Sequence, residues 1–169
     1  KAKTINKQPN ASIAITEMPE NIQIETGLIS VFIPRRGDFM IDSLLYKGTK
    51  VGEKARLICN TQSEPIQENT SQISFTRYIG EIKSVTIERL GSVRALVKLE
   101  GIHRNKNKEI DTNLSEEEGN YANNSDMNKW NNREWLPFVV RLYFYGCSEQ
   151  IKMVHSFVYD GDQKKDFIR

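Results

Sequence analysis

The chain has 169 residues, of which 38% are hydrophobic and 27% are charged, and that apolar content excludes an intrinsically disordered chain. Lys and Arg number 24 and Asp and Glu number 22, so the net charge is only +2. This balance argues against a nucleic-acid partner, which would require a clustered excess of cations. Since no apolar run approaches the roughly 18 residues of a transmembrane helix, we expect no membrane span.

The first half of the chain predicts a series of short β-strands. Apolar residues either alternate with polar ones or fill both faces over 12–16, 21–25, 27–33, 40–46 and 56–61. Between two of these segments, Lys47-Gly48-Thr49 is typical of a tight hairpin turn.

The second half shows the same period of two more clearly. It predicts strands over 74–79, 81–89, 93–99, 135–145 and 150–159. Turns recur about every eight to twelve residues and no segment sustains a helical period, which indicates an antiparallel sandwich or open barrel. We therefore predict an all-β fold, an antiparallel β-sandwich that is a partial supersandwich.

Residues 103–134 interrupt this order with a polar, asparagine-rich segment that we predict to be a long insertion loop. It is either a solvated insertion or a loop that closes over a ligand or packs on a neighbouring domain. Trp130 and Trp135 near its end favour some ordering, and His103 at its border is expected at the surface. We interpret 1–169 as a single domain, an excised fragment of a larger multidomain protein, because it opens without Met and ends in an apolar segment.

Cysteine and histidine are too few for a zinc site, and we expect neither a metal nor a cofactor. Cys59 and Cys147 are either free thiols or one disulfide, and the sequence leaves both open. The segment Asp160-Gly161-Asp162 is either a plain turn or a weak Ca²⁺ site. Four Asn-x-Ser/Thr sequons hint at a secreted context, at Asn10, Asn69, Asn113 and Asn123.

The last predicted hairpin carries the most informative side chains. If its turn is Gly146 to Glu149, one face is apolar and includes His155, which is then either a buried structural histidine or a general base or ligand at the rim. The opposite face combines cations with aromatic rings, at Arg141, Tyr143, Tyr145 and Lys152. Such a face suits an acidic sugar, and the alternative is an ordinary solvated sheet face.

An ordered run of segments resembles a known family. The run comprises Glu25-Thr26-Gly27-Leu28, Ile41-Asp42-Ser43-Leu44, Gly91-Ser92-Val93-Arg94-Ala95-Leu96-Val97-Lys98-Leu99-Glu100-Gly101, Leu136-Pro137-Phe138-Val139-Val140-Arg141-Leu142-Tyr143-Phe144-Tyr145 and His155-Ser156-Phe157-Val158-Tyr159-Asp160-Gly161-Asp162. Over roughly 20–169 it is similar to the central β-sandwich of the rhamnogalacturonan exolyase/YetA-like proteins, which are akin to polysaccharide lyase family 26.

The resemblance implies a parent protein with an N-terminal small β-barrel, this sandwich and a C-terminal α/α toroid. It also implies an extracellular or periplasmic enzyme that cleaves rhamnogalacturonan, a uronate-containing pectic polysaccharide, by β-elimination. That chemistry needs a uronate-neutralising group, a base and an acid. His155, Arg141 and Tyr143 have the required chemistry and are our candidate catalytic residues. The candidate substrate-binding residues are Tyr145, Lys152, Trp130 and Trp135.

The catalytic groups can equally lie on the toroid or between domains, in which case this fragment alone is inactive. Two other functions remain open, a non-catalytic carbohydrate-binding module and a structural spacer. The binding module requires exposed aromatic rings on this domain, whereas the spacer requires none. Because a fold does not determine a substrate, the sugar stays open even for the lyase.

Overall fold

The computed structural model describes residues 13–62, 75–105 and 133–169, and these form strands and turns without a helix. The first five strands are β1 (Ala14–Glu17), β2 (Asn21–Glu25), β3 (Ile29–Pro34), β4 (Ile41–Tyr46) and β5 (Thr49–Ala55). The other six are β6 (Ile58–Gln62), β7 (Phe75–Arg89), β8 (Arg94–Asn105), β9 (Glu134–Tyr145), β10 (Ile151–Phe157) and β11 (Phe167–Ile168).

These strands build two antiparallel sheets. The smaller sheet is a meander in the order β1-β2-β3-β4-β5, and the larger has the order β10-β9-β8-β7-β6-β11. Lys47 and Gly48 join β4 to β5 as a two-residue loop with φ values of 49° and 82°, as a type I′ hairpin turn requires. The predicted tight turn is therefore confirmed.

The core lies between the two sheets and is almost wholly aliphatic and aromatic. Strands β2 and β3 contribute alternate residues, of which Ile24, Val31 and Ile33 have no exposed surface. Strands β8 and β9 contribute the facing layer in the same way: Ala95, Val97, Leu99, Phe138, Val140, Leu142 and Phe144. This packing of two sheets through alternating inward residues confirms the predicted β-sandwich.

At one end of the larger sheet, two glycines make room for an aromatic ring. A Cβ atom on Gly80 would lie 3.1 Å from the Phe138 ring and 3.0 Å from the Leu57 side chain. On Gly101 it would overlap the Glu81 carbonyl oxygen as well as the Phe138 ring. Phe138 therefore packs on bare backbone of the neighbouring strands, which only glycine allows at this distance.

The strand boundaries differ from the prediction in three places. Strand β5 was not predicted, because its mostly exposed sequence lacks the apolar alternation that marks a half-buried strand. Strand β7 runs unbroken through Gly80, where we expected two strands. Residues 103–105 belong to β8 and β9 begins at Glu134, so the predicted loop boundaries of 103 and 134 are wrong. Residues 106–132 lie outside the described part of the chain.

Candidate functional site

The last hairpin, β9 and β10, has the register that the sequence predicts. Tyr143 pairs with Lys152 and Val140 pairs with His155, so the members of each pair share one face of the sheet. His155 consequently lies on the side of the smaller sheet, whereas Arg141 and Tyr143 lie on the outer face, which points away from it. The three candidate catalytic residues therefore do not meet at one point of this domain.

Most of the outer face is covered by ion pairs between strands. Arg141 donates to both carboxylate oxygens of Glu88, at 2.9 Å from Nε and 3.1 Å from Nη2. Lys98 lies 4.0 Å from Glu88 and 3.1 Å from Glu100. The hydrogen bond from Arg141 lowers the pKa of the Glu88 carboxyl, so this carboxylate stays ionised and occupies the guanidinium.

A second group of ion pairs follows nearer to the Phe138 end. Arg104 pairs with Glu81 at 2.9 Å and also contacts Glu134. Lys83 lies 2.8 Å from Glu81 and 3.8 Å from Glu134. Each group contains two cations and two carboxylates, so this part of the outer face, which we call the paired region, carries no net charge.

The outer face has a different composition beside the β9–β10 turn. Register places Arg89, Leu96, Tyr143 and Lys152 in one row across β7, β8, β9 and β10. Arg94 and Tyr145 form the next row. We call these six residues the turn-end patch. Within it, the ammonium group of Lys152 lies 5.5 Å from the centroid of the Tyr143 ring, a cation–π distance.

His155 lies where the smaller sheet no longer covers the larger one. Strand β10 is the outermost strand, and only Ile151 among its inward residues packs against the core cluster. Met153 and Phe157 on the same side are 49% and 52% exposed. The His155 ring contacts Phe138 and Phe157, and partial burial lowers its pKa. The expectation of a buried structural histidine is wrong, and His155 stands at the rim.

Trp135 is not an exposed sugar-stacking ring, because only 1% of its surface is accessible. Tyr78 and Tyr159 contact it edge-on, and the Arg133 guanidinium lies 4.9 Å from its ring centroid. Gly161 covers it so closely that a Cβ atom there would lie 2.7 Å from the indole. The expectation that Trp135 binds sugar at the surface is therefore wrong, while Trp130 lies outside the described residues.

The residues around Trp135 form a polar cluster that fastens the end of the chain to the start of β9. Arg133 donates two hydrogen bonds of 2.6 Å to the Asp166 carboxylate. The same carboxylate accepts the Asp162 backbone N–H at 2.6 Å, and the Tyr159 hydroxyl donates to the Asp166 carbonyl. Arg133 above all, and the Asp162 N–H, hold the pKa of Asp166 below its usual value, although burial opposes the shift.

His103 belongs to the same end of the sheet and is buried, so the expectation that it is a surface residue is wrong. Its Nδ1 lies 2.9 Å from the Leu136 carbonyl oxygen, which fixes the N–H on that nitrogen. Leu136 itself has a φ of 49°, and its backbone N–H donates to the Asp160 carboxylate at 2.7 Å. Two side chains thus hold the unusual backbone of Leu136 from opposite sides.

In the turn formed by Asp160, Gly161 and Asp162, both carboxylates accept hydrogen bonds from backbone N–H groups. Asp160 accepts the Leu136 N–H, and Asp162 accepts the Lys164 N–H at 2.9 Å. Within 13–62, 75–105 and 133–169 no cluster of three or more His, Cys, Asp or Glu side chains could hold a metal ion. The same ranges contain no helix that could cross a membrane. The four sequons lie outside them.

The two cysteines are free thiols. Cys59 is buried beside Tyr78 and Trp135, and burial raises the pKa of its thiol. Cys147 is exposed in the β9–β10 turn, where its backbone N–H donates to the Thr26 carbonyl oxygen at 2.7 Å. The disulfide, one of the two alternatives that the sequence left open, therefore does not form.

Sequence reasoning missed several residues that shape these surfaces. Glu88 neutralises Arg141, and no local motif marks the pairing, because the two residues are 53 positions apart. Arg89 and Arg94 flank the predicted turn at 90–92 and could have been placed on the outer face by counting back from the alternation of β8. Arg133 and Asp166 carry no signal in the sequence beyond their charge.

Comparison with known proteins agrees with this architecture. Residues 13–169 match the sequence profile of the PcRGLX-like protein central beta sandwich domain. The chain belongs to this family. It is also 29% identical over 163 residues to the protein YetA of Bacillus subtilis (strain 168). That alignment covers 96% of the chain and 16% of YetA, so the chain spans about a sixth of its relative. The predicted relationship to YetA-like, rhamnogalacturonan lyase-related proteins is thereby confirmed.

Proposed function

We propose that this domain is the central sandwich of an extracellular or periplasmic enzyme that cleaves rhamnogalacturonan by β-elimination. The observation that carries the proposal is the match of residues 13–169 to the PcRGLX-like central sandwich. In such an enzyme the sandwich serves as a framework, and neighbouring domains of the same chain, a small β-barrel and an α/α toroid, are its proposed partners.

The positions of the candidate catalytic residues support this division of labour. β-Elimination needs a base, an acid and a group that neutralises the uronate, all within reach of one sugar ring. Arg141 and His155 lie on opposite faces of one sheet and cannot serve the same ring. Arg141 is moreover held by Glu88. At least one essential group therefore comes from outside these three residues.

His155 is the candidate that is better placed to meet a neighbouring domain. It stands on the uncovered edge of the larger sheet, between the exposed side chains of Met153 and Phe157. Burial by a neighbouring domain would lower its pKa further and keep it neutral, which is the form a general base requires.

The test is a product assay on the full-length protein with rhamnogalacturonan. β-Elimination leaves an unsaturated uronate, so ultraviolet absorbance rises together with new reducing ends. The matched control is the same polysaccharide with its uronate carboxyl groups reduced to alcohols, which removes the acidity of the C5 proton and should abolish the rise. Reducing ends without absorbance would identify a hydrolase and contradict the proposal. The absence of both signals would favour a binding module or a spacer.

Two substitutions then separate the candidate residues: His155→Gln and Arg141→Gln. We expect a large loss of kcat for His155→Gln if the rim faces the catalytic cleft, and a kcat within about twofold of wild type for Arg141→Gln, since Glu88 already occupies that guanidinium. The opposite pattern would place the cleft on the outer face and overturn the role of the rim.

A further inference from the structure

We propose that the turn-end patch is a binding site for an acidic oligosaccharide. The proposal rests on the proposed function only for the choice of a uronate as the ligand. Its basis is the contrast between the six residues of the patch and the paired region beside them on the same face.

The first part of the argument concerns charge. The cations of the patch are Arg89, Arg94 and Lys152, and none of them has an ion-pair partner among the residues that the structure describes. In the paired region, by contrast, every cation lies within 4.0 Å of a carboxylate. Glu88 precedes Arg89 in the chain but pairs with Arg141, and Glu149, in the turn before β10, makes no ion pair with the patch in the described structure. Within the described part of the chain, the patch therefore offers positive charge that no carboxylate neutralises.

The second part concerns the rings between these cations. Tyr143 and Tyr145 are partly exposed, and Leu96 lies beside Tyr143 in the row. The neighbouring turn adds Leu90 and Val93, which are 62% and 68% exposed. A sugar ring presents apolar C–H faces with hydroxyls at its edge, so it matches partly exposed tyrosines whose own hydroxyls stay in water.

The third part concerns size. The row from Arg89 to Lys152 crosses four adjacent strands, so its backbone ends are about 14 Å apart at the usual strand spacing. Two carboxylates carried on one oligosaccharide can therefore contact cations at both ends while intervening sugars cover the tyrosines. A single free anion would use only one of these contacts, which predicts a preference for oligomers.

The face argues for a sugar polymer and against a nucleic acid. A nucleic-acid site requires a dense excess of cations along the whole path of the backbone. Here three cations stand beside the paired region, in which cations and carboxylates balance. An acidic oligosaccharide, whose carboxylates are separated by whole sugar rings, fits three separated cations better.

The test measures binding apart from catalysis, by titrating the full-length protein with oligogalacturonates of increasing length in a calorimeter. The test variant is Arg89→Gln/Lys152→Gln, both exposed side chains whose removal leaves the core intact. The matched control is Lys83→Gln/Arg104→Gln, which removes the same two charges from the paired region of the same face. Circular dichroism confirms that each variant is folded.

We expect wild type and Lys83→Gln/Arg104→Gln to bind alike, and Arg89→Gln/Lys152→Gln to bind at least tenfold more weakly. Equal affinities for wild type and Arg89→Gln/Lys152→Gln, or no binding by wild type, would overturn the proposal. So would equal binding of single-stranded DNA of matched charge. A failure of this binding test does not affect the outcome of the lyase assay. Binding by a protein without lyase activity would overturn only the proposed function.

Discussion

Two regions of the larger sheet, its buried face and its end near Trp135, are stabilised by different interactions. Between the sheets, alternate residues of β8 and β9 are buried in an aliphatic layer in which Val97, Leu99 and Phe144 have no exposed surface. At the end near Trp135, the polar cluster joins His103 and the segments 133–136 and 159–166, with Arg133–Asp166 and His103–Leu136 as its main bonds. The first region depends on periodicity and the second on specific partners, so the two should fail in different ways.

Removing a core ring should have the largest effect. Phe144→Ala deletes a side chain with no exposed surface, and we expect the free energy of unfolding to fall by about 3–5 kcal/mol. Tyr143→Ala, at the neighbouring position on the outer face, is the matched control and should cost far less. Urea titration of both variants measures the difference. Equal losses would show that the two faces of β9 are not energetically distinct.

Breaking the polar cluster should lower the free energy of unfolding by less than removing the core ring. Asp166→Asn removes the charge that Arg133 binds through two hydrogen bonds, and we expect a loss of about 2 kcal/mol. Because the folded-state pKa of Asp166 is lowered, its contribution is complete above the unfolded value of about 3.9 and is lost as pH falls through the folded value. The variant should therefore lose less stability than wild type on acidification. A parallel pH profile would contradict this.

The smallest effect should come from His103. Burial lowers its pKa, so the unfolded chain binds the proton more tightly than the folded one. Its contribution to stability is therefore full above about pH 6.5 and declines as pH falls below that value. His103→Gln keeps an N–H donor for the Leu136 carbonyl and should flatten the thermal stability profile between pH 7 and 5.

The control for this experiment is the second histidine. His155→Gln should flatten the profile less, since His155 is more exposed and burial is the only cause of its lowered pKa. If His155→Gln has the larger effect, the polar cluster does not titrate in the way its burial implies, and the acid sensitivity would belong to the rim instead.

The contrast between the two regions also explains what could be predicted from the sequence. Alternation along 135–145 and 150–159 was sufficient to predict the register of the last hairpin and the faces of its candidate residues, which are Arg141, Tyr143, Tyr145, Lys152 and His155. Alternation concerns one strand and its neighbour, so it describes the core and the outer face well. The same alternation was therefore sufficient to predict the β-sandwich.

The environment of Trp135 could not be predicted in that way. Gly161 covers the indole ring, and the Arg133 guanidinium lies against it. Arg133 is in turn bound by Asp166, 33 positions away. Such a cluster depends on where the chain returns after β10, and nothing in the local pattern records that path. His103 appeared to border a loop for the same reason, because β8 extends further than its apolar alternation shows.

The ring of Phe138, packed on Gly80 and Gly101, has a consequence for how these positions can change together. An extra methyl group at Gly80 meets mainly side chains, so a smaller residue at Phe138 can make room for it and act as a second-site suppressor. At Gly101 the methyl group meets the Glu81 carbonyl oxygen, which no side-chain replacement can remove. A genetic screen for compensating changes should therefore recover partners for position 80 and none at position 138 for position 101.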